Sequence, residues 1–243
     1  LPDVAYRPFK LEGGEAGRPV EVMVPDYLPD TEACRGELAK YYMSVQRGDS
    51  GLKRLLEILK ETGHWEDTFV MFISDNGIAF PGAKTNLYDP GMRLPCVVRN
   101  PYAKKHGLVT DAMITWADIT PTILDFAHAE TKKVNFHGRS FLDILETEKT
   151  EGWDEVYASH TFHEITMYYP MKVVRTRKYK LIWNIAHGLD YPFASDLYAS
   201  ATWQDILKSR ASHYAKRPVE NYIHRAKFEL YDLEDDPHEV NNL

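Results

Sequence analysis

Cysteine is nearly absent from this chain: Cys34 and Cys96 are the only two among 243 residues. Two thiols so far apart build neither a disulfide framework nor a zinc pattern. Both are expected to serve as small buried hydrophobes. No apolar run of about 18 residues exists either, which excludes a helical membrane span. Positive charge is also in deficit, with 29 Lys and Arg against 36 Asp and Glu, a formal net charge of −7. Bulk electrostatics therefore argue against nucleic acid and anionic membranes as partners. An anionic ligand would need a local positive field. The N-terminus carries no leader-like segment and begins at Leu1 rather than Met, so the sequence is expected to be a piece of something longer.

What is present is an ordinary globular composition, 44% hydrophobic and 27% charged. Fifteen Tyr, ten Phe and five Trp suit ring-stacking partners such as carbohydrate, and equally a well-filled core. Residues 1–32 are rich in Pro, Gly and acidic side chains and read as an irregular connection. From Thr31, apolar residues fall at three- and four-residue steps (Leu38, Tyr41, Tyr42, Val45, Leu52, Leu55, Leu56, Leu59), marking a long amphipathic helix to about Thr62, closed by Gly63. Gly48 and Gly51 allow a kink in its middle.

Further on, short buried strands are expected at 68–74, 94–98, 113–115 and 156–159, and helices at 118–129 and 138–146. From about residue 166 the texture changes. Strands at 172–176 and 179–185, with Arg177-Lys178 at the turn, and another at 228–233, surround a helix at 201–209. The expectation is an α/β fold: a partial, doubly wound, mostly parallel sheet core with a smaller C-terminal α+β subdomain containing an antiparallel sheet. The division is placed at 1–165 and 166–243.

The most informative stretch is 69–95, FVMFISDNGIAFPGAKTNLYDPGMRLP. An apolar strand ends in Ser74, then in two adjacent oxygen-bearing side chains, Asp75 and Asn76. A strand tip that delivers a carboxylate and an amide can build a site for a hard cation. Lys84 follows on a Gly/Pro-containing loop, placed to hold an anion against that cation. The same Asp-Asn-Gly also reads as a plain strand-end turn.

The spacing Ser74-Asp75-Asn76-Gly77, Lys84, Tyr88-Asp89-x-Gly91-x-Arg93-x-Pro95 resembles the second half of a sulfatase catalytic domain. Asp118-x-x-Pro121-Thr122, Arg177-Lys178-Tyr179-Lys180-Leu181 and Glu229-Leu230-Tyr231-Asp232-Leu233 with Asp236-Pro237-x-Glu239 extend the resemblance over nearly the whole chain. Within that family it is most similar to the heparan N-sulfatases, through Thr85-Asn86-Leu87-Tyr88, His163-Glu164-x-Thr166-Met167-x-Tyr169-Pro170-Met171 and Thr202-x-Gln204-Asp205-Ile206-Leu207. Those enzymes carry arginine where this chain has Lys84.

The resemblance implies a sulfuric ester or sulfamate hydrolase acting on sulfated amino sugars, such as N-sulfoglucosamine of heparan-type glycans. It implies one Ca²⁺ ion and a formylglycine nucleophile made from a cysteine. Neither Cys34 nor Cys96 sits in the required motif, so the formylglycine is expected on a segment that this chain lacks, and the chain alone is expected to be inactive. By the same resemblance Asp75 and Asn76 would bind the metal, and Lys84 would touch sulfate and act in catalysis. His163 and Glu164 would recognise the sugar, with His163 also a proton donor; a surface His-Glu pair is the alternative. Tyr88, Gly91, Arg93 and Pro95 read as scaffold, with a buried arginine pairing. The basic run Lys172, Arg175, Arg177, Lys178, Lys180 reads as a solvated face.

The implied partners are a sulfated sugar or glycosaminoglycan fragment, the N-terminal half of the catalytic domain, and a second copy in a homodimer. The implied setting is periplasmic, secreted or lysosomal. Two other readings stay open: a phosphate ester or diester hydrolase of the alkaline-phosphatase superfamily, and a non-catalytic carbohydrate-binding remnant.

Overall fold

The computed structural model describes residues 22–130, 134–164 and 167–243. The irregular segment expected over 1–32 therefore lies mostly outside the described residues, as does Thr166.

Helix α1 spans Glu32–Glu61, with Thr31 accepting a hydrogen bond from the Cys34 amide at 3.3 Å as its N-cap. It runs through Gly48 and Gly51 as one helix, and Gly63 follows it at φ +78, where only a residue without Cβ is unstrained. Its buried residues are confined to the N-terminal part: Cys34, Leu38 and Ala39. Val45, Leu55 and Ile58 remain exposed.

Strand β1 (Val70–Ile73) pairs antiparallel with β2 (Cys96–Arg99) in a two-stranded ribbon. All pairings among the described residues are antiparallel, so this chain contributes a ribbon, not a parallel run, to the expected core. Its Phe72–Val97 cross-strand pair is exposed. Between the strands lies the one-turn helix α2 (Asp89–Met92), and α3 (Ile119–Phe126) follows a 3₁₀ turn at Trp116–Asp118. Two sequence expectations shrink. Residues 113–115 form no strand, and 138–146 hold only a 3₁₀ turn at Leu142–Ile144. Gly138 explains part of the second difference, because a Cβ there would stand 2.3 Å from the Ala117 carbonyl. The chain must cross close to α3 at that point instead of starting a helix.

The larger sheet orders β3 (Glu155–His163), β4 (Met167–Thr176), β5 (Tyr179–Asn184) and β8 (Phe228–Asp232), all antiparallel. Alternation along β4 and β5 sends Met167, Tyr169, Met171, Val173 and Ile182 inward. They pack against Tyr191, Leu197 of α4 (Ser195–Ala199), Trp203 and Ile206 of α5 (Ala201–Ser209), and Tyr222 of α6 (Val219–Ile223). A small hairpin, β6 (His213–Tyr214) with β7 (Arg217–Pro218), completes this unit.

Several contacts cross the 165/166 division. Strand β3 is an edge strand of the four-stranded sheet, and Leu87 and Tyr88 from the loop after β1 are buried in its core. On the far side, Glu37 of α1 accepts from the amides of Ala201 and Thr202 and from the Thr202 hydroxyl, at 2.6–3.2 Å. A carboxylate at the start of α5 satisfies orphan amides and complements the helix dipole.

Candidate active site

Strand β1 ends in a tight turn. Asp75 Oδ1 accepts from the Asn76 amide at 3.0 Å, Ser74 Oγ donates to the Asn76 carbonyl at 2.9 Å, and Asn76 Nδ2 donates to the Gly77 carbonyl at 2.9 Å. Both side chains are exposed. Gly77 is buried against the following loop, where a Cβ would meet the Pro90 carbonyl at 2.5 Å and Gly91 Cα at 2.9 Å. The loop then doubles back, and the Lys84 amide donates to the Ile78 carbonyl at 3.0 Å.

That loop is anchored by buried polar groups of the C-terminal unit. Asn86 donates to the Tyr222 hydroxyl at 3.1 Å and accepts from Arg225 at 2.5 Å. Tyr88 donates to Glu229 at 2.8 Å beneath the Arg217 guanidinium, 3.8 Å from its ring centre. Asp89 receives a two-pronged pair from Arg175 at 2.9 and 3.0 Å and the Lys180 ammonium at 2.5 Å. Lys180 also meets Glu239 at 2.6 Å, and Glu239 accepts from the Asp89 amide at 2.6 Å. Burial opposes ionisation of Asp89, yet Arg175 and Lys180 outweigh it and lower its pKa to about 2.

These contacts correct two expectations. Lys180 is fully buried and Arg175 largely so, because the strand faces that carry them turn toward Asp89; Lys172 and Arg177 stay exposed. Arg93 is exposed in the open cleft, and the arginines that fix the loop are Arg175, Arg217 and Arg225.

Asp75 and Asn76 line this wide, open cleft together with Thr85, Asn86, Arg93 and His160. His160 is half-buried; its Nδ1 lies 3.3 Å from the Tyr169 carbonyl and its Nε2 has no hydrogen-bond partner among the described residues. Burial pushes its pKa down, which favours the neutral ring.

Lys84, His163 and Glu164 belong to a second, adjoining cluster. The Lys84 ammonium sits 2.5 Å from Asp196 Oδ2. Glu164, at φ +59 on the β3–β4 turn, accepts from the Ser195 hydroxyl at 2.8 Å and from its amide at 3.2 Å. His163 Nε2 stands 3.9 Å from Glu164 Oε1. A chain of polar contacts therefore runs from Lys84 through Asp196 and Ser195 to Glu164 and His163. Sequence reasoning missed Ser195 and Asp196. Their only signal was a Ser-Asp pair suited to a helix start, and nothing in the sequence ties them to residue 84.

Among the described residues no group of three or more His, Cys, Asp or Glu is placed to hold a metal. Asp75 Oδ2 and Asn76 Oδ1 accept no hydrogen bond among those residues. Two oxygens of this kind suit a hard cation but fill only part of the six to eight positions calcium takes. The donor set fits calcium as a partial site.

Known proteins resemble this chain. Residues 83–194 match the family described as N-sulphoglucosamine sulphohydrolase, C-terminal. Human N-sulphoglucosamine sulphohydrolase is 39% identical over 94% of this chain, which spans 48% of that protein. An ulvan-active sulfatase of Formosa agariphila is 26% identical over 90% of the chain and 37% of its own length. The chain thus spans about half the length, or less, of these curated relatives. A solved structure in complex with its substrate D-glucosamine-2-N,6-O-disulfate superposes with a TM-score of 0.60 at 25% identity, covering 87% of this chain and 36% of that one. It carries the α/β architecture of the alkaline-phosphatase-like fold to this chain. Residues 5–129, more than half of the sequence, match the Sulfatase family, and the chain belongs to that family.

Proposed function

We propose that this protein is part of a calcium-dependent sulfatase that hydrolyses sulfated amino sugars, N-sulfoglucosamine of heparan-type glycans foremost. The observation that carries the reading is the Lys84 loop. It returns the Lys84 backbone to Ile78, just past the strand tip that presents Asp75 and Asn76, within the residues that match the Sulfatase family, while the Lys84 ammonium turns to Asp196 in the adjoining cluster.

Asp75 and Asn76 would hold one Ca²⁺, which when bound supplies positive charge beside the sulfate oxygens. Lys84 grips a sulfuryl oxygen and stabilises charge as the S–N or S–O bond breaks. His163, with an edge of its ring open to solvent, donates a proton to the leaving nitrogen or oxygen. Glu164 holds the sugar and, through Ser195, the position of α4. The nucleophile, formylglycine, would come from the N-terminal half of the catalytic domain. That half covers the exposed Phe72–Val97 face of the β1–β2 ribbon and Leu55 and Ile58 on the C-terminal stretch of α1, large apolar side chains left in solvent here. We assign the catalytic unit to 1–165 and the smaller unit to 166–243, with β3 lent to the latter's sheet. No helix of the described residues is long and apolar enough to cross a membrane. A periplasmic, secreted or lysosomal setting and a homodimer accord with the family.

The test is hydrolysis of N-sulfoglucosamine by the full-length protein, with metal analysis and intact mass. Release of sulfate, one bound calcium and a formylglycine mass signature support the reading. Two bound transition metals with phosphoesterase activity, or sugar binding without turnover, would replace it.

A further inference from the structure

We propose that Asp196 is a subsite for the ammonium group of the amino-sugar product, an inference that deepens the sulfamate reading above and rests on it. In this structure the Asp196 carboxylate is paired with Lys84 at 2.5 Å, and both side chains are mostly shielded from solvent, 27% and 18% exposed. Asp196 Oδ1 accepts only from the adjacent Leu197 amide among the described residues. Ser195, one residue earlier, ties the same segment to Glu164 beside His163. A carboxylate thus stands next to the group that grips sulfate and near the proton donor.

The reaction demands such a pairing. Hydrolysis of a sulfamate converts R–NH–SO₃⁻ and water into R–NH₃⁺ and SO₄²⁻: the N–S bond breaks, an S–O bond forms, and the nitrogen gains two hydrogens. The atom held in the site begins attached to an anionic group and ends cationic. Lysine alone suits the substrate and repels the product. With the pair, Lys84 turns to the sulfuryl group while Asp196 is freed for the developing ammonium, and the two ions neutralise each other when the site is empty. An O-sulfate leaves as a neutral alcohol and gains nothing from Asp196. Asp196 is therefore a specificity-determining residue for nitrogen.

The experiment compares binding of glucosamine, N-acetylglucosamine and inorganic sulfate to the full-length protein and its variants, by calorimetry and by inhibition of turnover. Loss of a charge-assisted hydrogen bond predicts that Asp196→Asn weakens glucosamine about tenfold or more while N-acetylglucosamine changes little. Asp196→Glu recovers part of the difference. Lys84→Met has the opposite signature: it weakens sulfate and tightens glucosamine, because Asp196 loses its competitor. A merely structural role would shift all three ligands together, and that result overturns the subsite, as does tighter glucosamine in Asp196→Asn. If sulfamate turnover proceeds but glucosamine ignores Asp196, the subsite alone is wrong. If glucosamine binding depends on Asp196 but no sulfamate is cleaved, the proposed reaction is wrong and the amine subsite stands.

Discussion

Removing the Lys180 ammonium tests how the Lys84 loop is held. Lys180 is fully buried between Asp89 at 2.5 Å and Glu239 at 2.6 Å, and Glu239 is itself 1% exposed. In Lys180→Met, Arg175 still compensates Asp89 through its two-pronged pair. The uncompensated charge then falls on Glu239. Breaking a buried pair from one side costs about 3–5 kcal/mol, and the retained Arg175 puts this case at about 3 kcal/mol. The sign of the pH effect follows from Glu239. Burial first, and Asp89 second, already raise its pKa above the ordinary 4.5 despite Lys180, and loss of the ammonium raises it further. A carboxyl whose folded pKa lies above its unfolded value binds more protons when folded. Stability therefore recovers as pH falls through the folded pKa. Urea unfolding followed by Trp fluorescence at about pH 7 and about pH 5 should show the variant's deficit shrinking in acid, and Glu239→Gln should restore part of it at neutral pH. A Lys180→Met protein within about 1 kcal/mol of wild type at pH 7 would refute the reasoning, as would a deficit that grows in acid.

Other outcomes are accessible by the same means. Asp89, lowered from 3.8 to about 2, contributes stability that is fully present above pH 3.8 and is lost as pH falls toward 2. That share is about 2 kcal/mol, and an acid titration of unfolding should lose the feature in Asp89→Asn. Gly91→Ala would set a Cβ 2.3 Å from the Asn86 carbonyl and 2.4 Å from that of Ala83. It should cost about 3 kcal/mol, read as a drop in Tm, and depress activity by displacing the Lys84 loop. Arg210 caps α5 at φ +52 with an exposed side chain, so Arg210→Gly should raise stability by about 0.5–1 kcal/mol; a lowered Tm would count against the strain argument.

How much could be read without coordinates depended on the range of the forces involved. Helix α1 from about Thr31, α5 at its observed bounds, the β4–β5 turn at Arg177-Lys178, and β8 all follow from local periodicity and turn chemistry. The turn carrying Asp75 and Asn76, and the loop bringing Lys84 back, were legible because a short motif encodes them at fixed spacing. Residues 138–146 misled because an amphipathic pattern there is overruled by a backbone crossing at Gly138, a tertiary contact with no local signature.

The burial of Lys180 and Arg175 was invisible for the same reason. A basic residue on an alternating strand reads as solvated until a partner carboxylate arrives from 91 and 86 positions away. Asp196 meets Lys84 across a separation of 112 residues. The sequence by itself determined the family, helices α1 and α5, the β4–β5 hairpin and the strand-end turn at Asp75-Asn76, since these depend on neighbours along the chain and on fixed spacing within short motifs. Only the tertiary structure decided which charges are buried and which carboxylate faces the lysine, because desolvation and ion pairing act through space between segments that sequence order keeps apart.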